Sequence, residues 1–152
     1  MKAAIIYYSN SGTTAKLAER IQGTFGGKLV EVKAKVPYGS YLAAVKRAGT
    51  ERKKGIIAEY EAPDEDLSDT DTVFVGYPIW YSDAPLFFLD CLSKLKLQGK
   101  TVIPFSTSGA TNIKATLGKL EETAKVKATC PYNSGKFSKD DFEAWAEEVS
   151  KL

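Results

Sequence analysis

Three short runs of this chain leave no face for water. Ala3-Ala4-Ile5-Ile6-Tyr7-Tyr8, Thr72-Val73-Phe74-Val75-Gly76 and Thr101-Val102-Ile103-Pro104-Phe105 are too short for buried helices and lack the polar alternation of a strand with one wet face. A parallel sheet with helices above and below covers a strand on both sides, so each run reads as a central strand. Two other segments, 29–33 and 126–130, alternate apolar and polar residues and read as edge strands. Helical spacing fills the intervals: Ala15, Leu17, Ala18, Ile21 and Phe25; Tyr41, Leu42, Val45 and Ala48; the segment 86–95; Ile113, Leu117, Leu120 and Ala124; and Phe142, Trp145, Val149 and Leu152 behind a Ser138 cap. Strands alternating with helices predict an α/β fold with right-handed crossovers. Placing the apolar runs at the centre gives strand order 2-1-3-4-5.

Several residues punctuate or strain that pattern. Gly26-Gly27 and Gly55 close the first two helices, and 56–71 carries Pro63 and a Ser/Asp/Thr cluster that predict a surface connection without regular structure. Pro104 lacks the amide that a central strand donates, so the fourth strand is expected either to pair imperfectly near its end or to lie elsewhere than 101–105. Asp83 is placed to cap the helix that Pro85 begins. That helix is apolar almost all the way round, which implies deep burial or cover by a second copy.

A chain of 152 residues fits one domain, 1–152, with a sizeable core, and no apolar run reaches the ~20 residues of a membrane span. Met1-Lys2 leads directly into the first strand without a signal-peptide pattern, so the cytoplasm is the expected location. Cys91 and Cys130 form no C-x-x-C pair and read as small core residues. Histidine is absent, which removes the commonest general base and the Ser-His-Asp arrangement, so chemistry is expected from a cofactor. The net charge of +2 is uneven: 28–56 is strongly basic and 57–71 carries acidic residues alone, a pattern that suits a dipolar docking surface as well as two solvated faces.

Between the first strand and its helix lies Ser9-Asn10-Ser11-Gly12-Thr13-Thr14, in which every residue but the glycine carries a hydroxyl or an amide. One cap needs one such residue; a run of them at a helix start suits an anion, because the first helical amides lack partners and the dipole is positive there. Neither G-x-x-x-x-G-K-[ST] nor G-x-G-x-x-G follows this strand, so a triphosphate or dinucleotide is not the expected guest. In sheet order 2-1-3-4-5 the ligand crevice opens at the carboxyl ends of the first and third strands. The aromatic loop 77–81, with Trp80 and Tyr81, and the polar loop 106–109 fall at the same edge. Together they suit a guest with a phosphate tail and a flat ring: Trp80 or Tyr81 would stack on the ring, and Thr107, Ser108 and nearby amides would bond its heteroatoms.

Ser9-x-Ser11-Gly12-x-Thr14 before a helix, Gly76-Tyr77-Pro78-Ile79-Trp80 followed by Pro85 and Phe88, and Pro104-Phe105-Ser106-Thr107-Ser108-Gly109 together resemble the flavodoxin-like FMN proteins of the short-chain type over nearly the whole chain. The resemblance implies a flavodoxin-like three-layer sandwich with a five-stranded parallel sheet and helices on both faces. It implies FMN as cofactor, its phosphate at Ser9, Asn10, Ser11, Gly12, Thr13 and Thr14 and its ring among Pro78, Ile79, Trp80, Tyr81, Ser82, Ser106, Thr107, Ser108 and Gly109. It implies a low-potential electron carrier with a reductase and an acceptor as protein partners, no nucleic acid, no membrane, and a monomer or weak homodimer. The alternative is a small FMN-dependent oxidoreductase passing electrons from NADH or NADPH to a quinone.

The chain departs from that family pattern in three places. Familiar flavodoxins are acidic, and this chain is not. The loop after Pro78 has no glycine, so positive φ there would be costly. Asp83 near the ring would disfavour negative charge on it. A phosphorelay receiver needs clustered aspartates after the first and third strands, and a low-molecular-weight phosphatase needs a cysteine opening the first loop; Tyr8-Ser9 and Gly76-Tyr77 exclude both.

Overall fold

A computed structural model describes residues 1–135 and 139–152. Its elements are β1 (Ala3–Tyr7), α1 (Thr13–Phe25), β2 (Lys28–Glu31), β3 (Lys33–Ala34), α2 (Tyr41–Lys54), β4 (Tyr60–Glu61), β5 (Thr72–Pro78), α3 (Leu86–Lys94), β6 (Thr101–Ser108), α4 (Leu117–Ala124), β7 (Tyr132–Gly135) and α5 (Phe142–Ser150), with a 3-10 turn over Ile113–Thr116. Five strands form one parallel sheet of order β2-β1-β5-β6-β7, which is 2-1-3-4-5 when only its own strands are counted.

The strands without a wet face lie at the centre. Every residue of β1 and β5 is buried. Ala4, Ile6, Val73, Val75 and Val102 face one layer of α2, α3 and α4, through Ala44, Phe87, Phe88, Leu92 and Leu120. Ile5, Phe74, Ile103 and Phe105 face the other, through Leu17, Ile21, Phe142, Trp145 and Val149. Phe87, Phe88, Leu89, Cys91 and Leu92 of α3 are buried within the chain itself, so the apolar circumference of this helix needs no second copy.

The edge is where expectation and structure part. The segment 126–130 forms no regular strand: Ala128 makes one isolated bridge to Val102, and the paired strand is β7, four residues further on. Cys130 takes a left-handed φ of 47° and Pro131 has no amide, so the ladder breaks between them. This break accommodates Pro104. The Thr129 amide donates to the Val102 carbonyl, so even-numbered residues of β6 direct their backbone polar groups toward the edge. Pro104's missing donor therefore points at the gap, and the central strand runs through it to Ser108.

Smaller differences have equally local causes. Within 56–71, β4 pairs antiparallel with β3. The buried face of α2 is Ala44, Ala48 and Glu51, because small alanines let the helix approach the sheet, while Tyr41 and Leu42 stand exposed. Leu152 lies past the end of α5 and is exposed, and the expected cap Ser138 falls outside the described residues. No helix of the described residues is long and apolar enough to cross a membrane.

Candidate functional site

The carboxyl ends of β1, β5, β6 and β7 surround a cleft of about 590 Å³. Asn10, Ser11, Thr13, Thr14, Pro78, Ile79, Trp80, Thr107, Ser108 and Gly109 line it, together with Tyr41, Ser134 and Gly135. Ser9, Gly12, Tyr81, Ser82 and Ser106 do not, and each has another place in the local structure.

The first wall is built almost entirely from its own segment. Gly12 caps α1 at φ 95°, and a Cβ there would meet nothing within 4 Å, so glycine serves the backbone angle and not a lack of space. Ser9 Oγ accepts from the amides of Gly12 and Ala15, both at 3.1 Å. Ser9 therefore takes up two donors that an anion would otherwise use. The amides of Ser11, Thr13 and Thr14 donate to none of the described residues, and they stand at the positive end of the helix dipole. Asn10 is tied through its side-chain amide to the Gly39 carbonyl at 3.0 Å, and Thr14 Oγ1 lies 2.8 Å from Thr107 Oγ1, joining the first wall to β6.

The second wall depends on residues far away in sequence. Ile79 continues the ladder by donating to the Thr107 carbonyl at 3.0 Å. Trp80 and Asp83 then exchange backbone bonds of 3.0 and 3.2 Å around Tyr81 and Ser82, whose φ angles are 53° and 60°. This is a type I′ turn, built without the glycine such turns favour. Arg52 of α2 donates to the Tyr81 carbonyl, and its Nε lies 4.0 Å from Asp83 Oδ2; Lys119 of α4 reaches the same oxygen at 3.7 Å. Asp83 is thus a buried anchor between two cations. The cap of α3 is Pro85, with no side-chain bond, and Asp83 does not line the cleft. Burial raises its carboxyl above the ordinary carboxylate value, with Lys119 and Arg52 opposing.

Trp80 presents part of itself to the cleft but is only 5 % exposed. Its ring lies 5.2 Å from that of Tyr38 and edge-on to Tyr8 at 5.9 Å. Tyr38 in turn donates to Glu51 Oε1 at 2.5 Å and carries the Arg47 guanidinium 3.9 Å above its ring. Burial, then the bond to Glu51, pushes the Tyr38 hydroxyl far above its usual range, so it stays a donor. The aromatic wall is braced from behind, where the Tyr38 phenol, Glu51 and the Arg47 guanidinium satisfy one another.

The third wall is the end of β6. Thr107 and Ser108 belong to the strand, not to a loop, and Ser108 Oγ donates to the Thr111 carbonyl at 2.7 Å. Ser106 is fully buried and points the other way, donating to Asn133 Oδ1 at 3.1 Å. Sequence reasoning missed Tyr41, Ser134 and Gly135. Tyr41 was absorbed into a helix stripe, and placing the fifth strand at 126–130 hid that its true end reaches the crevice.

A family model described as flavodoxin matches residues 2–149. The chain belongs to the flavodoxin family. Comparison with curated proteins finds no match. Among solved structures, a flavoprotein from Lactobacillus acidophilus in complex with FMN is 25% identical, with a TM-score of 0.76 and coverage of 99% of this chain and 97% of that one. A protein from Bacteroides eggerthii, proposed to be a flavoprotein, is 27% identical with a TM-score of 0.82 and the same coverage. A flavodoxin from the Archaea, 18% identical over 100% of this chain and 93% of its own, has a TM-score of 0.57 and shares the fold.

Proposed function

We propose that the cleft holds FMN and that this flavodoxin-family protein is a low-potential electron carrier working in the cytoplasm. The observation that carries the reading is the set of unpartnered amides of Ser11, Thr13 and Thr14 at the start of α1, beside an aromatic wall. A phosphate dianion would take those amides with the Ser11 and Thr13 hydroxyls, needing no lysine or arginine in the loop. Ile79, Trp80 and Tyr41 on one side and Thr107 to Gly109 on the other offer apolar walls and hydrogen-bonding groups to a flat heterocycle. Ser9, Gly12, Tyr81 and Ser82 support these walls from behind, and Ser106 fixes β6 to β7.

FMN, when bound, supplies the one- and two-electron chemistry; the protein binds, orients and excludes water. The FMN complex of the similar Lactobacillus acidophilus flavoprotein supports the choice of cofactor. The test is titration of the purified protein with FMN, followed by stepwise photoreduction and by addition of NADH or NADPH with a quinone. Tight binding and slow nicotinamide consumption are expected of a carrier. Rapid nicotinamide-dependent quinone reduction would make it an oxidoreductase instead, and failure to bind FMN would overturn the cofactor assignment.

A further inference from the structure

We infer that the outer face of α2 beside the cleft mouth is the docking surface for an acidic redox protein. The inference rests on reading the cleft as the flavin site, since a docked partner must come near the cofactor's exposed edge. Tyr41, Leu42 and Tyr81 are 63, 79 and 54 % exposed, a cluster of large apolar groups at one rim. Tyr41 lines the cleft, and the Tyr81 ring packs against α2 at Gly49, where a Cβ would come within 2.6 Å of it. The turn and the helix thus form one continuous surface. Exposed aromatic groups rimmed by charge are the composition of a protein-binding patch.

The charge on that rim is of one sign. Leu42, Lys46, Gly49 and Lys53 follow one another at spacings of four, three and four along α2 and share a stripe. Lys46, Lys53 and Lys54 are exposed and pair with no carboxylate among the described residues. The single carboxylate of α2, Glu51, is turned inward to Tyr38 and Arg47. Arg52 and Lys119, each about half exposed, share only the buried Asp83.

The later part of the acidic segment, 66–71, lies at the opposite end of the sheet, whereas Glu59 and Glu61 belong to the β3–β4 pair that follows the carboxyl end of β2. Asp71 accepts from the Lys2 amide at the head of β1, and Lys28 and Lys100, at the heads of β2 and β6, donate to carbonyls of Asp66, Leu67 and Thr70. The carboxylates of 66–71 are therefore separated from the α2 lysines along the strand direction, and Glu59, on the β3–β4 pair, is matched by Lys35 at 3.8 Å. A partner with carboxylates around its own redox centre would be steered to this face, and a basic one would be repelled.

The experiment titrates the isotope-labelled, FMN-loaded protein with two haem proteins of opposite charge, acidic cytochrome b5 and basic cytochrome c, at low and high salt. Cytochrome b5 is expected to shift the amides of Leu42, Lys46, Gly49, Lys53 and Tyr81, with affinity that falls as salt rises. The double variant Lys46→Glu, Lys53→Glu should lose about tenfold or more of that affinity at low salt, while Lys127→Glu, near the far edge of the sheet, should lose little. FMN affinity of the double variant should be unchanged. Stronger binding of cytochrome c at this face, or cytochrome b5 binding indifferent to the double variant, would overturn the inference. The same titration on flavin-free protein separates the two readings: failure of FMN binding removes the cofactor assignment, while the charge-selective docking is read independently.

Discussion

Between Ser9 and Thr14 the left-handed backbone position falls on Gly12, and Ser9 satisfies the nearby amides from within the segment. Across the cleft, between Trp80 and Asp83, the left-handed positions fall on Tyr81 and Ser82, and the turn is held by Arg52 and Lys119 from α2 and α4. One wall is organised by its own sequence and the other by tertiary contact. The first keeps its shape wherever β1 and α1 meet, while the second depends on two helices staying docked. An L-residue in the left-handed region costs ~1–2 kcal/mol, and such strain persists only where the surroundings over-determine it.

The largest test asks whether the aromatic start of the second wall belongs to the core or also to the site. Trp80→Ala and Trp145→Ala each remove an aromatic side chain that is 5 % exposed, and each should cost ~3–5 kcal/mol in denaturant unfolding. Only Trp80 borders the cleft, so only its loss should weaken FMN binding, by roughly tenfold if it packs on the ring. Trp80→Phe serves if the alanine variant does not fold. Equal effects of the two tryptophans on FMN affinity would make Trp80 a core residue alone.

Next come the anchors. Ser9→Ala leaves the Gly12 and Ala15 amides without their acceptor, and Arg52→Ala unties the Tyr81 carbonyl and half of Asp83's compensation; each should cost ~1 kcal/mol. Salt distinguishes them. The Arg52 side chain is 45% exposed, so its contribution should shrink between ~0.05 and ~0.5 M NaCl, while that of Ser9 should not. Equal salt sensitivity in thermal unfolding would break the distinction between a locally and a remotely held wall.

A smaller pair has opposite signs. Gly12→Ala places a side chain at φ 95° and should destabilise, whereas Ser82→Gly relieves φ 60° and should stabilise. The left-handed penalty less the ~0.4–1 kcal/mol of unfolded-chain entropy leaves ~0.8 kcal/mol for each. Loss of stability in Ser82→Gly would mean that the Ser82 side chain holds the turn in a way its backbone does not show.

The same contrast decides what could be read from the sequence. Strand order was legible because β1 and β5 need cover on both faces, a demand written into consecutive residues. The loop 9–14 was legible because Gly12 and its hydroxyl neighbours are adjacent in the chain. Asp83 was read as a helix cap because its partners, Arg52 and Lys119, are 31 residues before it and 36 after it, and no spacing rule connects them. The fifth strand was misplaced because 126–130 alternates as an edge strand does. The signal that breaks it, Pro131 after a left-handed Cys130, acts through the missing partner of Pro104 two strand positions away from any local pattern.

The smallest effect is the most specific to the second wall. Burial raises the Asp83 carboxyl above its ordinary value of 3.8 despite Lys119 and Arg52, so the folded protein binds a proton there that the unfolded chain has released. Stability attributable to this group must then fall as pH rises from about 3.8 through the folded-state value, since the native state is the more protonated one in that window. Asp83→Asn removes the titration while keeping an acceptor for the Ala84 amide, which Asp83 Oδ1 takes at 3.2 Å. The stability of Asp83→Asn relative to the unaltered protein should therefore climb across that window in urea titrations and stay level above it. A difference that falls instead would mean that the two cations outweigh burial, and that the turn is held mainly by charge.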